Sequence, residues 1–552
     1  MHIIPTALAL ALCLAAATPR QQSQTTPPAP QTTPATQQST PGPQLPAATP
    51  ANTLTQNVRL VILDGVVVDK KGNAVTDLKR DEFHIAEDDQ AQDIRNFEVP
   101  GRFTPSPDIN IDSTADLDRL APRAPVNIVL LDEFNTRFED MAFARYSLKK
   151  WLEKQPVKLD TPTMLVAVDL QHFTVLRDYT ENKDEIVKAL DHHFAAYPWQ
   201  AHQFAWVSAR YTTAFLTLSR VAEATVGHLG HKNMIWLGRG FPTINLANVA
   251  IDGQNQIHSA VQHTVNELRD ARVTLYTIDP AGLMIDASGY GSAAQLYSPF
   301  GGDPNFEDLA RATGGRTLHG RNDVDADIGA AIRDGASLYT LTYRPTNSIT
   351  DIEKFHRIKV TLDRPGLIFV TRQGYYPATR PARTTRDGQV GRRLANELIT
   401  ASDSNMAYDA IGFTAQASAT DANDVKITVE PRGMSWYTVP DGSKPRFTRL
   451  IVISTFFDRK DKELKRGGGV YTFQAPASAP KAGRIDIPVV FKLKLEPVPK
   501  AVRARLVVRV EASGRMGTAD LTLGPGASAK SSSALGVNTA PASPPTSTAP
   551  GK

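Results

Sequence analysis

The strongest constraint on the fold of this chain is an apolar run that ends in a carboxylate. Residues 126–131 read VNIVLL, Asp132 follows them, and an amphipathic helical pattern comes next. A continuous apolar strand followed by a helix is typical of a parallel sheet that helices cover on both faces. In such folds, ligands bind beyond the carboxyl ends of the strands. The sequence therefore predicts that Asp132 lies at the edge of the sheet where a ligand binds.

Strand and helix patterns alternate over residues 124–336, and antiparallel β patterns flank them. The alternation predicts an α/β fold with a parallel central sheet and helices on both of its faces. The short β patterns of residues 56–99 form too small a unit to be stable alone, so we expect the strands of residues 337–378 to complete it. Further β runs over residues 390–525 predict a β-sandwich.

The ends of the chain differ in composition from the middle. Residues 18–55 and 526–552 consist mainly of Pro, Thr, Ser and Ala, with Gln in the first segment. Such segments bury too little apolar surface to fold, which predicts a disordered linker and a disordered tail. We expect residues 100–123 to be a second linker, between the small β unit and the α/β domain.

An apolar stretch of about eleven residues surrounds Cys13, the only cysteine of the chain. Its length is typical of a signal-peptide core and is too short for a stable membrane span. Ala15 and Ala17 have the spacing that signal peptidases need, so we expect residues 1–17 to be removed on export. The expected location is the periplasm or the cell exterior, and the mature chain would have neither a disulfide nor a cysteine nucleophile.

The charge of the chain argues against nucleic acid as a partner. The formal net charge of +4 is small for 552 residues, and the Lys and Arg residues are scattered along the sequence. A nucleic-acid-binding surface needs a concentrated basic patch or stripe. The composition therefore favours other kinds of partner.

Four parts of the sequence together resemble a known family. They are residues 69–75 (DKKGNAV), residues 131–136 (LDEFNT), residues 276–280 (YTIDP), and residues 343–345 (YRP) followed by residues 372–376 (RQGYY). The chain resembles the exported bacterial proteins described as VWFA-related domain proteins, which carry a von Willebrand factor A (vWA) domain. This resemblance implies a Rossmann-like vWA domain and a role in cell adhesion or in binding proteins or other extracellular ligands.

The resemblance also implies a candidate metal site. The family often holds a divalent cation such as Mg²⁺ through Asp-x-Ser-x-Ser, a later Thr and a later Asp, and such an oxygen set suits a hard cation. Asp132 matches the first position and Thr136 stands at the second Ser, whereas Phe134 replaces the first Ser. The later Thr falls on Thr212 or Thr213, at the start of a long predicted helix. The degenerate metal candidates are thus Asp132, Thr136 and Thr213.

Residues 237–240 (LGRG) stand where the family has its later Asp. A guanidinium at this place repels a dication, so the sequence predicts a degenerate metal site and no cofactor. We hypothesise that Arg239 pairs with Asp132, because guanidinium and carboxylate match in a bidentate geometry. A shift of the register by one residue would place Gly238 beside Asp132 instead.

The predicted function is non-enzymatic binding of a protein or a cell-envelope ligand. Two alternatives stay open: a structural spacer in an envelope assembly, and a hydrolase that uses Asp132, Glu133 and Asp279 as acid and base. No nucleophile or oxyanion site accompanies these carboxylates in the sequence, which disfavours the hydrolase. Asp279 is either a ligand-binding residue or the cap of the next turn. The predicted ligand-binding residues are Asp132, Glu133, Asn135, Thr136, Thr212, Thr213, Arg239 and Asp279.

Three further patterns are interpreted without a catalytic role. Residues 191–193 (DHH) indicate a polar helix end, because adjacent helical residues point about 100° apart and do not easily share one metal ion. Residues 289–292 (GYGS) lack the context of a phosphate loop or a nucleophile turn, which favours a plain loop. Trp199, Phe204 and Trp206 are either buried beneath a loop or exposed together as a binding patch.

Overall fold

A computed structural model describes most of the chain between residue 60 and residue 531. The expected signal peptide, the linker of residues 18–55, Trp199 and residues 289–292 lie outside the described residues, as do the side chains of Phe204 and Trp206. The described residues are 60–194, 204–241, 250–281, 305–318, 323–346, 355–376, 387–418, 423–437, 446–476, 478–480, 483–523 and 529–531.

The first described stretch forms four short strands. A turn after the first strand is closed by the carboxylate of Asp69, which accepts hydrogen bonds from the backbone N–H groups of Lys71 (2.8 Å) and Asn73 (2.9 Å). Beyond this turn Ala74 forms an isolated β-bridge with Val68, and the backbone N–H of Val75 donates to the carbonyl of Val67 (2.8 Å). The strands are β1 (Val61–Val68), β2 (Phe83–Glu87), β3 (Gln90–Gln92) and β4 (Ile94–Glu98).

The middle of the chain forms a six-stranded sheet in the order β10-β9-β8-β5-β6-β7. The first five strands in this order are parallel, and β7 is antiparallel to β6. The strands are β5 (Val126–Asp132), β6 (Lys158–Val168), β7 (Phe173–Asn182), β8 (Lys232–Leu237), β9 (Val273–Ile278) and β10 (Thr317–Leu318).

The antiparallel strand corrects the prediction of a wholly parallel sheet. Only residues 169–172 connect β6 to β7, and a parallel pair needs a crossover of a dozen or more residues. The turn is stabilised by Asp169, whose carboxylate accepts the backbone N–H groups of Gln171 (2.6 Å) and His172 (2.7 Å). The central sheet is therefore mixed, with β7 as an antiparallel edge.

Helices cover both faces of this sheet. Ile128 and Trp236 pack with side chains of α4, α5 and α6 on one face, whereas Leu131 and Leu237 pack with α2, α3 and α7 on the other. No helix among the described residues is long and apolar enough to cross a membrane. The helices are α1 (Thr114–Leu120), α2 (Phe138–Glu153), α3 (Lys183–His192), α4 (Phe204–Thr225), α5 (Ile251–Asp270), α6 (Phe306–Ala312) and α7 (Val324–Ala336).

The chain leaves the neighbouring strands β5 and β8 towards opposite faces of the sheet. The helix after β5 is α2, and the helix after β8 is α5; these two helices belong to different hydrophobic cores. Such a reversal opens a crevice beyond the carboxyl ends of the two strands, which is where open α/β sheets bind ligands. Asp132 ends β5 at this place.

The next strands return to the beginning of the chain. Two four-stranded antiparallel sheets result, in the orders β13-β1-β11-β4 and β14-β12-β2-β3. Their shared core contains Phe83, whose ring centroid lies 5.3 Å from that of Tyr339 and 5.5 Å from that of Phe369. The strands are β11 (Leu338–Tyr343), β12 (His356–Leu362), β13 (Ile368–Thr371) and β14 (Gly374–Tyr375).

The described C-terminal part consists of a helix, which packs on the core beneath one face of the central sheet, and of two further antiparallel sheets around a common core. The sheet orders are β15-β16-β19 and β18-β17-β20-β21-β22. The helix was not predicted, and β22 falls in the segment expected to be a tail. The elements are α8 (Asp387–Asp403), β15 (Phe413–Ala417), β16 (Asp424–Val429), β17 (Phe447–Phe457), β18 (Glu463–Gln474), β19 (Val489–Lys494), β20 (Arg503–Val510), β21 (Met516–Thr522) and β22 (Ala529–Ser531).

Contacts between buried or partly buried residues connect these parts. The expected linker of residues 100–123 contains α1, and its Ile111 and Leu117 are fully buried in the core beneath one face of the central sheet, which apolar side chains favour. Asp64 of β1 accepts two hydrogen bonds from Arg272, which precedes β9, at 2.6 and 3.0 Å. The backbone N–H of Asp409 donates to the carbonyl of Ala224 in α4 (3.1 Å).

Candidate functional site

Asp132 is fully buried at the end of β5, and its two carboxylate oxygens are both occupied. Oδ1 accepts the backbone N–H of Asn135 (2.8 Å), and Oδ2 accepts the indole N–H of Trp236 (2.9 Å) and the backbone N–H of Gly240 (3.0 Å). Asp132 thus ties the segment after β5 to the segment after β8. We call these two segments, residues 132–136 and 238–240, the rim.

The environment of Asp132 raises the pKa of its carboxyl group. Burial raises the pKa of Asp132 to about 7, while the hydrogen bonds from Trp236, Asn135 and Gly240 act in the opposite direction. A dication at this carboxylate would have to displace the N–H donors that its oxygens already accept. The oxygen set therefore does not fit the metal site that the family resemblance implies.

Gly238 packs directly against Asp132, in the position that a one-residue shift of the register assigns to it. A Cβ atom added to Gly238 would lie 2.4 Å from Oγ1 of Thr136 and 2.5 Å from Cβ of Asp132. Gly240 has a φ of +63°, and a Cβ there would meet the ring of Phe306 at 2.1 Å. The two glycines let the chain after β8 cross closely over the end of β5.

The predicted pairing of Arg239 with Asp132 is wrong. The guanidinium of Arg239 lies between two other carboxylates, with Nη2 3.6 Å from Oδ2 of Asp140 and Nε 3.6 Å from Oδ1 of Asp279. Gly238 occupies the space beside Asp132, and the backbone N–H of Arg239 donates to Oγ1 of Thr136 (3.3 Å). The side chain is therefore directed away from the carboxylate that it was expected to neutralise.

Several buried polar groups at the rim and beside it have no hydrogen-bond partner among the described residues. These groups are Oδ1 and Nδ2 of Asn135, Nε of Arg239 and Oδ2 of Asp140. Asn135 is only 5% exposed, and a buried amide without a partner costs free energy. These buried atoms therefore mark a place where the local packing leaves hydrogen-bonding capacity unused.

Glu133 forms a contact that the sequence did not predict. Its Oε1 lies 2.8 Å from Nε2 of His193, which follows α3, and both side chains are largely buried. An imidazole oriented by a carboxylate has the form of a catalytic base, but no hydroxyl or thiol among the described residues bonds to His193. Residues 191–193 thus include one histidine that contacts Glu133 of the rim.

The other predicted ligand-binding residues lie in different surroundings. The carboxylate of Asp279 accepts the backbone N–H of Ala281 (2.9 Å), which is the capping role, and it also approaches Arg239. Thr212 and Thr213 lie in the third turn of α4 and do not start that helix, because it begins at Phe204. Neither threonine is among the hydrogen-bond partners of Asp132.

Exposed aromatic side chains adjoin the rim. Phe138 at the start of α2 is 64% exposed, and Phe194 is 81% exposed. Phe138 is one residue removed from Thr136, and Phe194 follows His193 directly. Exposed aromatic residues next to polar groups are typical of protein-binding surfaces. Phe138 is the first residue of α2 but does not belong to the apolar stripe that this helix buries. An aromatic residue outside the stripe is the sequence signal that could have identified Phe138 as exposed.

No group of three or more His, Cys, Asp or Glu side chains that could hold a metal ion occurs among the described residues.

No protein-family model matches the chain, and no curated protein matches it. Among solved structures it is similar to the crystal structure of a pilus adhesin, SpaC from Lactobacillus rhamnosus GG. The identity is 10%, the match covers 82% of this chain and 72% of that chain, and the TM-score is 0.25. A likeness of this size assigns neither a family nor a function.

Proposed function

We propose that this chain is an exported, non-enzymatic binding protein that recognises a protein or cell-envelope partner through the rim and the aromatic residues beside it. The observation that carries the proposal is the position of Arg239. It lies beyond the carboxyl ends of β5 and β8, where the chain leaves for opposite faces of the sheet. Its side chain is 24% exposed there, and its guanidinium lies 3.6 Å from the carboxylates of Asp140 and Asp279.

The proposal includes a vWA-like identity for the α/β part of the chain. It is supported by a parallel-containing central sheet with helices on both faces and by an aspartate at the end of its central strand. The flanking antiparallel sheets would then position this domain, and the composition of residues 1–55 supports export.

Binding at the rim is proposed to need no metal ion. The oxygens of Asp132 accept three hydrogen bonds from N–H groups, and Phe134 stands where the family supplies a hydroxyl ligand. Arg239 also places a positive charge at the crevice. Titration calorimetry with Mg²⁺ and Mn²⁺ tests this part, and saturable binding of either ion that is lost in Asp132→Asn would contradict it.

A hydrolytic role receives less support than binding. His193 and Glu133 form a pair, but general-base catalysis of acyl transfer also needs a nucleophile and donors for the oxyanion. Neither accompanies the pair among the described residues.

The experiment measures binding of the purified chain to envelope fractions. We expect Arg239→Gln combined with Phe138→Ser to lower the retained amount about tenfold, in the range that interface hot spots contribute. Val490→Ser, which changes an exposed apolar residue on β19 far along the chain, is the matched control. Equal retention of all three proteins would exclude the rim as the binding surface and favour the spacer.

A further inference from the structure

A second crevice lies at the opposite end of the central sheet from the rim. His231 and Arg272 precede β8 and β9, so they stand at the amino ends of these strands. The other wall consists of residues 99–104, which follow β4, and of Thr340 in β11. The cleft has a volume of about 50 Å³, which is room for about four water-sized groups.

The cleft is predominantly basic. Its lining includes Arg102, Arg123, Arg272 and His231, against Glu98 as the only carboxylate. Arg123 is paired with Glu98 (2.7 Å), and Arg272 is paired with a residue outside the lining, Asp64.

Arg102 keeps an uncompensated charge. It forms no ion pair with any of the described residues, and its guanidinium lies 5.5 Å from the centre of the Phe103 ring. A concave surface with an excess positive charge attracts an anion.

His231 supplies the second, independent observation. It is 6% exposed, and neither of its ring nitrogens has a hydrogen-bond partner among the described residues. Nδ1 faces Oδ2 of Asp64 at 3.5 Å. Burial would raise the pKa of Asp64, but the Arg272 guanidinium holds it well below its ordinary value, so this carboxylate is ionised.

An ionised carboxylate beside Nδ1 favours the tautomer that carries its proton on Nδ1. Burial lowers the pKa of His231, which supports a neutral ring at pH 7. In this state Nε2 is an acceptor. A ligand that satisfies the cleft must therefore combine a hydroxyl donor for His231 with charged oxygens for Arg102.

We propose that this cleft binds a phosphate-type oxyanion that keeps one proton, with Arg102 and the Thr104 hydroxyl donating to its charged oxygens and Nε2 of His231 accepting its hydroxyl. The site bridges the N-terminal β strands and the α/β part of the chain. It is independent of the proposed rim function, because the two places are at opposite ends of the sheet.

The test is titration calorimetry of the full chain at constant ionic strength with inorganic phosphate and with sulfate, which has the same shape but no proton at pH 7. Saturable phosphate binding with one site and at least about tenfold weaker sulfate binding is expected, since a site built around an acceptor rejects a ligand without the matching hydroxyl. Glycerol 3-phosphate, compared with phosphate at about pH 5 so that the monoester also keeps a proton, separates the two sources of the ligand. Binding as tight as that of phosphate indicates a terminal phosphate group on a larger molecule, and weaker binding indicates free phosphate.

Two exposed arginines provide a matched pair of variants. Arg102→Gln should weaken phosphate binding about tenfold, as loss of a charge-assisted hydrogen bond does. Arg95→Gln, on β4 but outside the cleft lining, should leave it unchanged. Phosphate should also move the ¹⁵N resonance of Nε2 of His231, assigned by its loss in His231→Gln. Absence of saturable phosphate binding, equal affinity for sulfate, or full binding by Arg102→Gln would overturn the proposal.

Discussion

The carboxylate oxygens of Asp132 accept hydrogen bonds from two loops. Because the pKa of Asp132 differs between the folded and the unfolded chain, its protonation changes the free energy of unfolding. Below about pH 4 the carboxyl is protonated in both the folded and the unfolded chain, and its contribution to stability is fully present. Since burial raises the pKa of Asp132 to about 7 in the folded chain, that contribution is lost as the pH rises from about 4 through about 7. Asp132→Asn carries no such titration, although it loses an acceptor for the N–H donors and costs roughly 1–3 kcal/mol.

Urea unfolding followed by tryptophan fluorescence at about pH 5 and about pH 8 checks this prediction. The stability difference between the original chain and Asp132→Asn should be larger at the lower pH. Asp279→Asn, which changes a partly exposed carboxylate, is the control for the loss of a negative charge. An equal difference at both pH values would contradict the pKa shift of Asp132.

Gly238 has both a conformational and a steric reason to be glycine. Its φ is +146°, and a Cβ would press on Thr136 and Asp132. Gly72 also has a positive φ, +81°, but nothing lies within 4 Å of a Cβ there. We expect Gly238→Ala to lower the free energy of unfolding by about 1–3 kcal/mol more than Gly72→Ala, which carries the backbone strain alone. Equal losses in thermal or urea unfolding would show that the close approach is unimportant.

At the scale of elements, the pairing of Asp64 with Arg272 attaches β1 to the central sheet. Arg272→Gln leaves the buried Asp64 carboxylate without its counter-charge, which should cost about 3–5 kcal/mol. Arg364 also pairs with two carboxylates, Asp77 and Glu82, but at an exposed position. Arg364→Gln should therefore lower the free energy of unfolding much less in the same urea titration. Similar losses for both variants would contradict the importance of burial at this junction.

The elements differ in how far the sequence predicts them. The strand at residues 126–132 is confirmed, because a fully buried parallel strand has an unmistakable apolar run. The direction of β7 could not be predicted from hydrophobic periodicity, because periodicity does not indicate how a strand pairs. Only the short connection of residues 169–172 indicated an antiparallel pair.

The candidate site was predicted less completely than the strand that carries it. A one-residue shift in register decides whether Gly238 or Arg239 faces Asp132, and sequence spacing does not resolve a single residue in a loop. The contact of Glu133 with His193 joins residues far apart in the chain, so no local pattern could indicate it.

At the scale of the whole molecule, the N-terminal strands depend on strands about 270 residues later in the chain. A chain that lacks residues 60–98 leaves β11 and β13 without partners and exposes one edge of β12, and unpaired strand edges promote aggregation. We expect this truncated chain to elute as aggregate in size-exclusion chromatography. A chain that lacks residues 1–55, whose composition predicts a signal peptide and an unfolded linker, should elute as the original does. Soluble behaviour of the first truncation would show that the two sets of strands fold independently.

We propose that the rim and its neighbouring aromatic residues form the recognition surface. The most direct measurement is photo-crosslinking on intact envelopes with p-benzoylphenylalanine in place of Phe138, and in place of Val490 as the control. We expect a discrete adduct from position 138 that persists in the presence of EDTA and disappears in Arg239→Gln, with no adduct from position 490. Equal labelling from both positions, or an adduct from position 138 that EDTA abolishes, would contradict it.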